Sequence, residues 1–195
     1  MVREATITRK TSETDITLTL GLDGEGVTKV ATGVPFFDHM LDAFGRHGLF
    51  DLSVSAIGDL DVDAHHTVED VGICLGQALA RALGDKRGIR RFGSAFVPMD
   101  EALVLAAVDI SGRGQLHYDV AVPIELIGTF DTTLAKEFMI ALAANAGITV
   151  HVMAFAGVNA HHIIEAAFKA LARALAEAVE IDPRVDGVPS TKGSL

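Results

Sequence analysis

Two six-residue segments carry most of the chemistry legible in this chain. Ala64-His65-His66-Thr67-Val68-Glu69 and Ala160-His161-His162-Ile163-Ile164-Glu165 share the pattern Ala-His-His-x-x-Glu. Each follows a strand-like run and a glycine-containing loop, and each opens a segment of helical period. On a helix, positions i and i+4 share a face, so His65 and Glu69 can meet one ion, as can His161 and Glu165. The neighbouring His66 and His162 are rotated by about 100° and would tend to serve a second ion. A single adjacent His pair at a helix start is usually a polar cap or a surface feature. Two copies in matched settings are not explained that way, because Ser or Asp caps a helix better than imidazole does.

The spacing extends the set. His39 precedes His65 by 26 residues, and Glu137 precedes His161 by 24. The loops before the two His pairs differ in length, and this accounts for the offset. Asp38-His39-Met40-Leu41 then aligns with Lys136-Glu137-Phe138-Met139. His39, His65, His66, Glu69, Glu137, His161, His162 and Glu165 thus form a set of eight metal ligands, four per ion. Six-coordinate ions would keep positions open for substrate and water. Nitrogen and carboxylate donors without thiolate suit Mn, Fe, Ni or Zn and disfavour a structural zinc site.

These residues need elements to hold them. Residues 5–9, 15–22 and 27–31 read as strands, 36–46 as a helix, 50–57 as a strand and 65–83 as a helix. The second half repeats the order, with strands over 102–110 and 115–123, a helix over 132–145, a strand over 148–155 and a helix over 161–179. The expected fold class is α/β (α+β): two pseudo-symmetric ββαβα repeats, residues 1–90 and 91–181, each a mostly antiparallel sheet with helices on one face. A tail over 182–195 follows, and the whole reads as one structural unit.

Bulk properties narrow the function. A formal charge of −10 argues against a nucleic-acid partner, which needs a basic face. No apolar run approaches the roughly 20 residues that span a bilayer, and the N-terminus lacks a signal-peptide core. Cys74 is the single cysteine, so no internal disulfide forms and a cytoplasmic location is the natural reading. Cys74, Met40 and Met139 read as core filling. His117 sits in a hairpin strand with no evident catalytic role, and His151 reads as a hydrogen-bonded core histidine or a support for a ligand.

Taken together, the motifs resemble imidazoleglycerol-phosphate dehydratase of histidine biosynthesis, over essentially the whole chain. The resemblance includes Gly33-Val34-Pro35-Phe36-Phe37-Asp38-His39-Met40-Leu41, His47-Gly48-Leu49-Phe50-Asp51-Leu52 and both His-His-x-x-Glu segments. It continues through Asp85-Lys86-Arg87-Gly88-Ile89-Arg90-Arg91-Phe92-Gly93 and Gly187-Val188-Pro189-Ser190-Thr191-Lys192-Gly193. It implies a duplicated fold like the second domain of ribosomal protein S5, two Mn2+ ions per active site, and the monofunctional form of the enzyme. It also implies trimers that assemble into a 24-subunit shell, with active sites between subunits. One departure is Glu137, where many family members carry His.

The implied reaction removes water from imidazoleglycerol phosphate to give imidazole acetol phosphate. The proton lost from carbon 2 is not beside a carbonyl, so the imidazole ring must act as the electron sink, and metal binding to the ring nitrogens would favour this. By resemblance, Glu13 is the best acid–base residue; without it, Glu13 reads as a hairpin-tip charge. Glu69 and Glu165 could relay protons, although ligation lowers their basicity. The implied substrate contacts are Glu13, His39, His47, Arg91, Arg113, Ser190 and Lys192, the last four for the phosphate. His47 could equally cap its helix. Two rivals use the same ligand types. A dinuclear hydrolase would release phosphate, and a metal-storage protein would have no use for the basic turn or the Ser-Thr-Lys tail.

Overall fold

The computed structural model describes residues 3–195. The first half contains β1 (Glu4–Lys10), β2 (Thr14–Gly21), β3 (Thr28–Ala31), α1 (Pro35–Gly48), β4 (Asp51–Gly58) and α2 (His65–Leu83). The second contains β5 (Phe92–Met99), β6 (Ala102–Asp109), β7 (Gln115–Asp119), β8 (Leu126–Ile127), β9 (Phe130–Asp131), α3 (Leu134–Ala146), β10 (Thr149–Ala156) and α4 (Ala160–Val179).

The two main sheets share one topology. The first has order β1-β2-β4-β3 and the second β5-β6-β10-β7. In each, two antiparallel pairings are followed by one parallel pairing, β3 with β4 and β7 with β10. The expected ββαβα core is therefore present in both halves, with a short extra strand before each first helix. Period-2 alternation decides which face is covered: Ile16, Leu18 and Leu20 on β2, and Val104, Ala106 and Val108 on β6, turn into the core.

The helices lie between the sheets. α2 packs on β1 and β2, and α4 packs on β5 and β6. The helix layers then meet across the middle, α2 against α3 and α1 against α4. Phe37, Phe138 and Phe168 fill this seam, and one continuous core draws on both halves. Two glycines set the α2–α3 approach. A Cβ on Gly76 would sit 2.6 Å from the Leu142 carbonyl, and one on Gly72 would sit 2.8 Å from that of Phe138. Only a residue without a side chain lets these helices come so near.

The structure departs from the expected elements in three places, the first being β5, a strand where none is expected. β5 carries its large apolar residues outward: Phe92 and Phe96 are exposed while Gly93 and Val97 are buried, which inverts the usual strand signal. Pro98 is tolerated there because β5 is an edge strand. The strand expected over 115–123 stops at Asp119. The chain then forms a loop and the β8–β9 ribbon, tied by Thr132, whose Oγ1 donates to the Pro123 carbonyl (2.8 Å) and accepts from the Glu125 N–H (3.1 Å). Committed to that loop, Thr132 does not start the helix, and α3 begins at Leu134. Finally, α1 runs through Gly48, and Leu49 takes the left-handed turn at φ 55°. Gly48 is spent instead on close packing, with the Ala172 carbonyl 3.2 Å from where its Cβ would be.

Candidate metal centre

The entrance to α1 is fixed by Asp38, whose Oδ1 accepts from the Thr32 N–H (2.8 Å) and hydroxyl (2.6 Å). Pro35 supplies the first helical position without wasting a donor. His39, one residue on, lies beside α4. There His161 and Glu165 stand one turn apart. Glu165 Oε2 lies 3.2 Å from His39 Nε2 and 3.0 Å from His161 Nε2. Ligand atoms of these three residues all lie within 4.8 Å of one another. Phe36 packs edge-on against the His161 ring at 5.0 Å and holds it from below.

Glu165 is buried, and burial alone pushes its carboxyl pKa up. Lys169, whose Nζ lies 2.6 Å from Oε1, together with His39 and His161, outweighs this and holds it below the usual range. The group is thus two imidazoles around one ionised carboxylate, a donor set that fits a first-row divalent cation.

The second cluster is at the α2 entrance. His65 Nε2 lies 4.0 Å from Glu69 Oε2, the expected i,i+4 pair. His66 turns the other way: its Nδ1 lies 2.9 Å from Asp59 Oδ2 and its Nε2 3.9 Å from Glu13 Oε1. Glu13 sits at the β1–β2 turn, where the Thr11 hydroxyl accepts from the Glu13 and Thr14 N–H groups. The Asp59 N–H donates to the Glu13 carbonyl at 3.1 Å, which ties the turn to the α2 loop. At the matching position His162 Nδ1 lies 2.7 Å from Glu101 Oε2, and Nε2 lies 3.6 Å from Asp100 Oδ2. These partners raise the pKa of both His66 and His162. Capping falls to other residues, Asp63 at α2 and Asn159 at α4, so the histidine rings are left for other work.

Among the described residues, no second group of three ligand atoms lies as close as His39, His161 and Glu165. The His65–Glu69 pair and that trio therefore remain separate within one chain. Glu137 stands on α3 beside Tyr118, Thr132 and Lys136, lining an open cavity. It is not brought within ligand distance of His65 and Glu69 together.

The residues expected to hold phosphate do converge. Arg91 is held in a left-handed conformation at φ 75°. Its Nε and Nη2 donate to Asp109 (2.7 and 3.3 Å), and its Nη1 donates to the Pro189 carbonyl (2.9 Å). That bond brings the tail bearing Ser190 and Lys192 to β6. Arg113 reaches the same Asp109 at 4.0 Å, and the chain end at Leu195 passes over Gly112. Arg90 pairs with Glu177 and Glu180 instead. His47 is exposed on α1; partial burial and the nearby Lys169 and Arg173 lower its pKa. His151 is not a core residue. It is exposed on the outer face of the second sheet and stacks on His117, with ring centroids 4.2 Å apart.

Asp59, Asp100 and Glu101 were not anticipated. The duplication could have found Glu101, since it occupies the β5–β6 turn as Glu13 occupies the β1–β2 turn.

A sequence profile of the family described as imidazoleglycerol-phosphate dehydratase matches residues 32–175. The imidazoleglycerol-phosphate dehydratase of Dinoroseobacter shibae is 63% identical over 195 residues, covering all of both chains. This chain belongs to the imidazoleglycerol-phosphate dehydratase family. The dehydratase of Symbiobacterium thermophilum is also 63% identical, over 99% of this chain and 93% of that one. The fold agrees with crystal structures of two imidazoleglycerol-phosphate dehydratases. That from Staphylococcus aureus has a TM-score of 0.84 at 38% identity, over 92% of this chain and 99% of that one. That from Pyrococcus furiosus, in complex with (S)-C348, has a TM-score of 0.84 at 40% identity, over 97% of this chain and all of that one. Imidazoleglycerol-phosphate dehydratases are hydro-lyases of histidine biosynthesis.

Proposed function

We propose that this chain dehydrates D-erythro-imidazoleglycerol phosphate to imidazole acetol phosphate at a dinuclear Mn2+ centre built between copies of the chain. The observation that carries the metal reading is the meeting of His39, His161 and Glu165 around a common point. His39, His161 and Glu165 of one copy would hold one ion with His66 of the next. His65 and Glu69 of that next copy would hold the second ion with His162 of the first, and Glu137 would join them only if it drew closer to them than it stands here. The i,i+4 pairs and the outward turn of His66 and His162 support this reciprocal sharing. So does the separation of the two clusters within one chain. Bound Mn2+ supplies positive charge that lets the substrate's imidazole ring take up electrons from the carbon chain.

The remaining work falls to side chains. Glu13, 3.9 Å from His66 Nε2, is placed to take the carbon 2 proton beside the ring site. Glu69 and Glu165, as ligands, orient the centre and serve at most as secondary proton relays. His39 and His47 border the substrate on the α1 side. Arg91 has five N–H donors and spends three on Asp109 and Pro189, so two remain for phosphate. Arg113, Ser190 and Lys192 complete the cradle.

Self-association follows from the same reading, through trimers to a 24-subunit shell. Its support is the outer face of the second sheet, where Phe92, Phe96 and Phe155 are each more than half exposed. An internal duplication, residues 1–90 and 91–181 with the tail 182–195, accounts for the shared topology. Among the described residues no helix is long and apolar enough to cross a membrane. We place the protein in the cytoplasm, without a nucleic-acid or membrane partner, on its single buried cysteine and its charge of −10.

Chelation followed by reconstitution tests the function. Activity should vanish on metal removal and return with Mn2+, with imidazole acetol phosphate as product and no phosphate release. Full activity in metal-free protein, or liberated phosphate, would reject it.

A further inference from the structure

Both second histidines of the repeated motif touch a carboxylate through the same ring atom. His66 Nδ1 lies 2.9 Å from Asp59 Oδ2, and His162 Nδ1 lies 2.7 Å from Glu101 Oε2. An ionised carboxylate has no proton to give, so in each pair Nδ1 must carry the hydrogen. A neutral imidazole with its proton on Nδ1 has a bare lone pair on Nε2. In solution the other tautomer competes, and the ring can also flip about its bond to Cβ. A carboxylate on Nδ1 removes both freedoms. Among the described residues, His39, His65 and His161 have no carboxylate on Nδ1.

The two carboxylates come from different places in the fold. Glu101 sits at the β5–β6 turn, and it also accepts from the Val158 and Asn159 N–H groups (3.1 and 2.9 Å) just before α4. The topological counterpart of Glu101 in the first half is Glu13. Glu13 does not hold His66, because Asp59, in the loop between β4 and α2, already does. The second half has no carboxylate in the corresponding loop, Gly157-Val158-Asn159. The duplicated turn has therefore split its duties: Glu101 is hydrogen-bonded to a histidine, while the half-exposed Glu13 carboxylate approaches His66 Nε2 no closer than 3.9 Å.

We propose that Asp59 and Glu101 are positioning residues that lock His66 and His162 in the Nδ1–H tautomer, so that each ring offers Nε2 to a metal ion. This rests on the reading of His66 and His162 as ligands. It also explains why only one of the two equivalent turn glutamates is available to move a proton.

Two measurements test the proposal. The first is ring 15N NMR of metal-free protein labelled at histidine, at about pH 8.5, where imidazole is neutral. His66 and His162, assigned by loss of signal in His66→Ala and His162→Ala, should carry hydrogen on Nδ1 and none on Nε2. Hydrogen on Nε2 in either would overturn the proposal for that pair. The second is Mn2+ titration of the full-length protein by calorimetry. Asp59→Ala and Glu101→Ala should each weaken Mn2+ binding about 10- to 100-fold. Asp59→Asn and Glu101→Gln keep an acceptor oxygen and should recover part of the loss; they also serve if an alanine variant fails to fold. A Kd within about twofold of wild type in all folded variants would refute the positioning role, given the usual size of such effects. If His66→Ala and His162→Ala themselves leave Mn2+ binding unchanged, the ligand assignment fails instead, and the tautomers are then judged by the NMR alone.

Discussion

Replacing Arg91 probes how the proposed phosphate site is built. The Arg91 side chain is only 17% exposed, and its guanidinium bridges Asp109 on β6 and the Pro189 carbonyl, and so fastens the tail to the second sheet. Arg91→Ala deletes the tail bond outright. A hydrogen bond to a charged group contributes about 1.5–3 kcal/mol, and the low end suits a site that retains some solvent. Losing about 1.5–2 kcal/mol of tail docking lowers the docked population roughly 10- to 30-fold. Because Ser190 and Lys192 ride on that segment, KM should rise by about that factor, with kcat falling much less. Arg91→Lys restores a charge but not a planar fork. It cannot span Asp109 and Pro189 together, and should recover less than half of the loss in free energy. The assay is steady-state kinetics alongside limited proteolysis of residues 182–195 in the metal-loaded enzyme. Unchanged KM and unchanged cleavage would refute the reasoning. A raised KM with an unchanged cleavage rate would refute the tail argument and leave only direct contact with phosphate.

Glu13→Gln should cut turnover by about 10²- to 10⁴-fold with metal content intact, as removal of a general base does; unchanged turnover removes Glu13 from the chemistry. Gly76→Ala should lower stability to urea by about 1 kcal/mol, because the overpacking cost of its Cβ at 2.6 Å from Leu142 exceeds the helix-propensity gain. A stabilised variant would mean that the α2–α3 seam is slack. In metal-free protein, His66 and His162 have raised pKa values, so their ion pairs stabilise fully below about pH 6.5. That contribution is lost as pH rises through the folded values. Melting temperature should therefore fall between about pH 6 and 8, and less so in Asp59→Ala. Glu101 runs the other way. Its carboxyl is held down to about 2, first by His162 and then by the loop N–H groups, so its contribution is present above the ordinary value and lost on acidification. Glu101→Gln should flatten melting temperature against pH in the acid range.

The repeated His-His-x-x-Glu segments make most of the candidate site visible in the sequence, because helical geometry alone dictates which side chains share a face. His39 was reachable through the alignment of the two halves, and it does meet His161 and Glu165. The residues proposed for phosphate can be named as a set from the sequence, but Arg91's grip on Asp109 and Pro189 is not legible there, since it depends on where the tail runs. Asp59 gives no periodic signal, because its role appears only when its loop is folded onto a ring nitrogen, whereas Glu101 is reachable only through its match to Glu13 in the duplicated turn. β5 was missed because Phe92 and Phe96 face outward, so the strand's apolar residues do not mark its buried side. The helix expected over 36–46 runs on through Gly48, because that glycine is taken up in close packing against Ala172 and does not end the helix.

The claim that matters most is that each active site takes one histidine cluster from one copy and the other cluster from a second. Mixing two inactive variants tests it directly: one carries His65→Ala and Glu69→Ala, the other His161→Ala and Glu165→Ala. Neither should turn over alone. Unfolded together and reassembled with Mn2+, they form interfaces in which both contributing clusters are intact, about a quarter of the total by random pairing in a symmetric assembly. Activity approaching that share is the predicted result. No recovery in oligomers shown to contain both variants would contradict sharing between copies and return the site to a single chain.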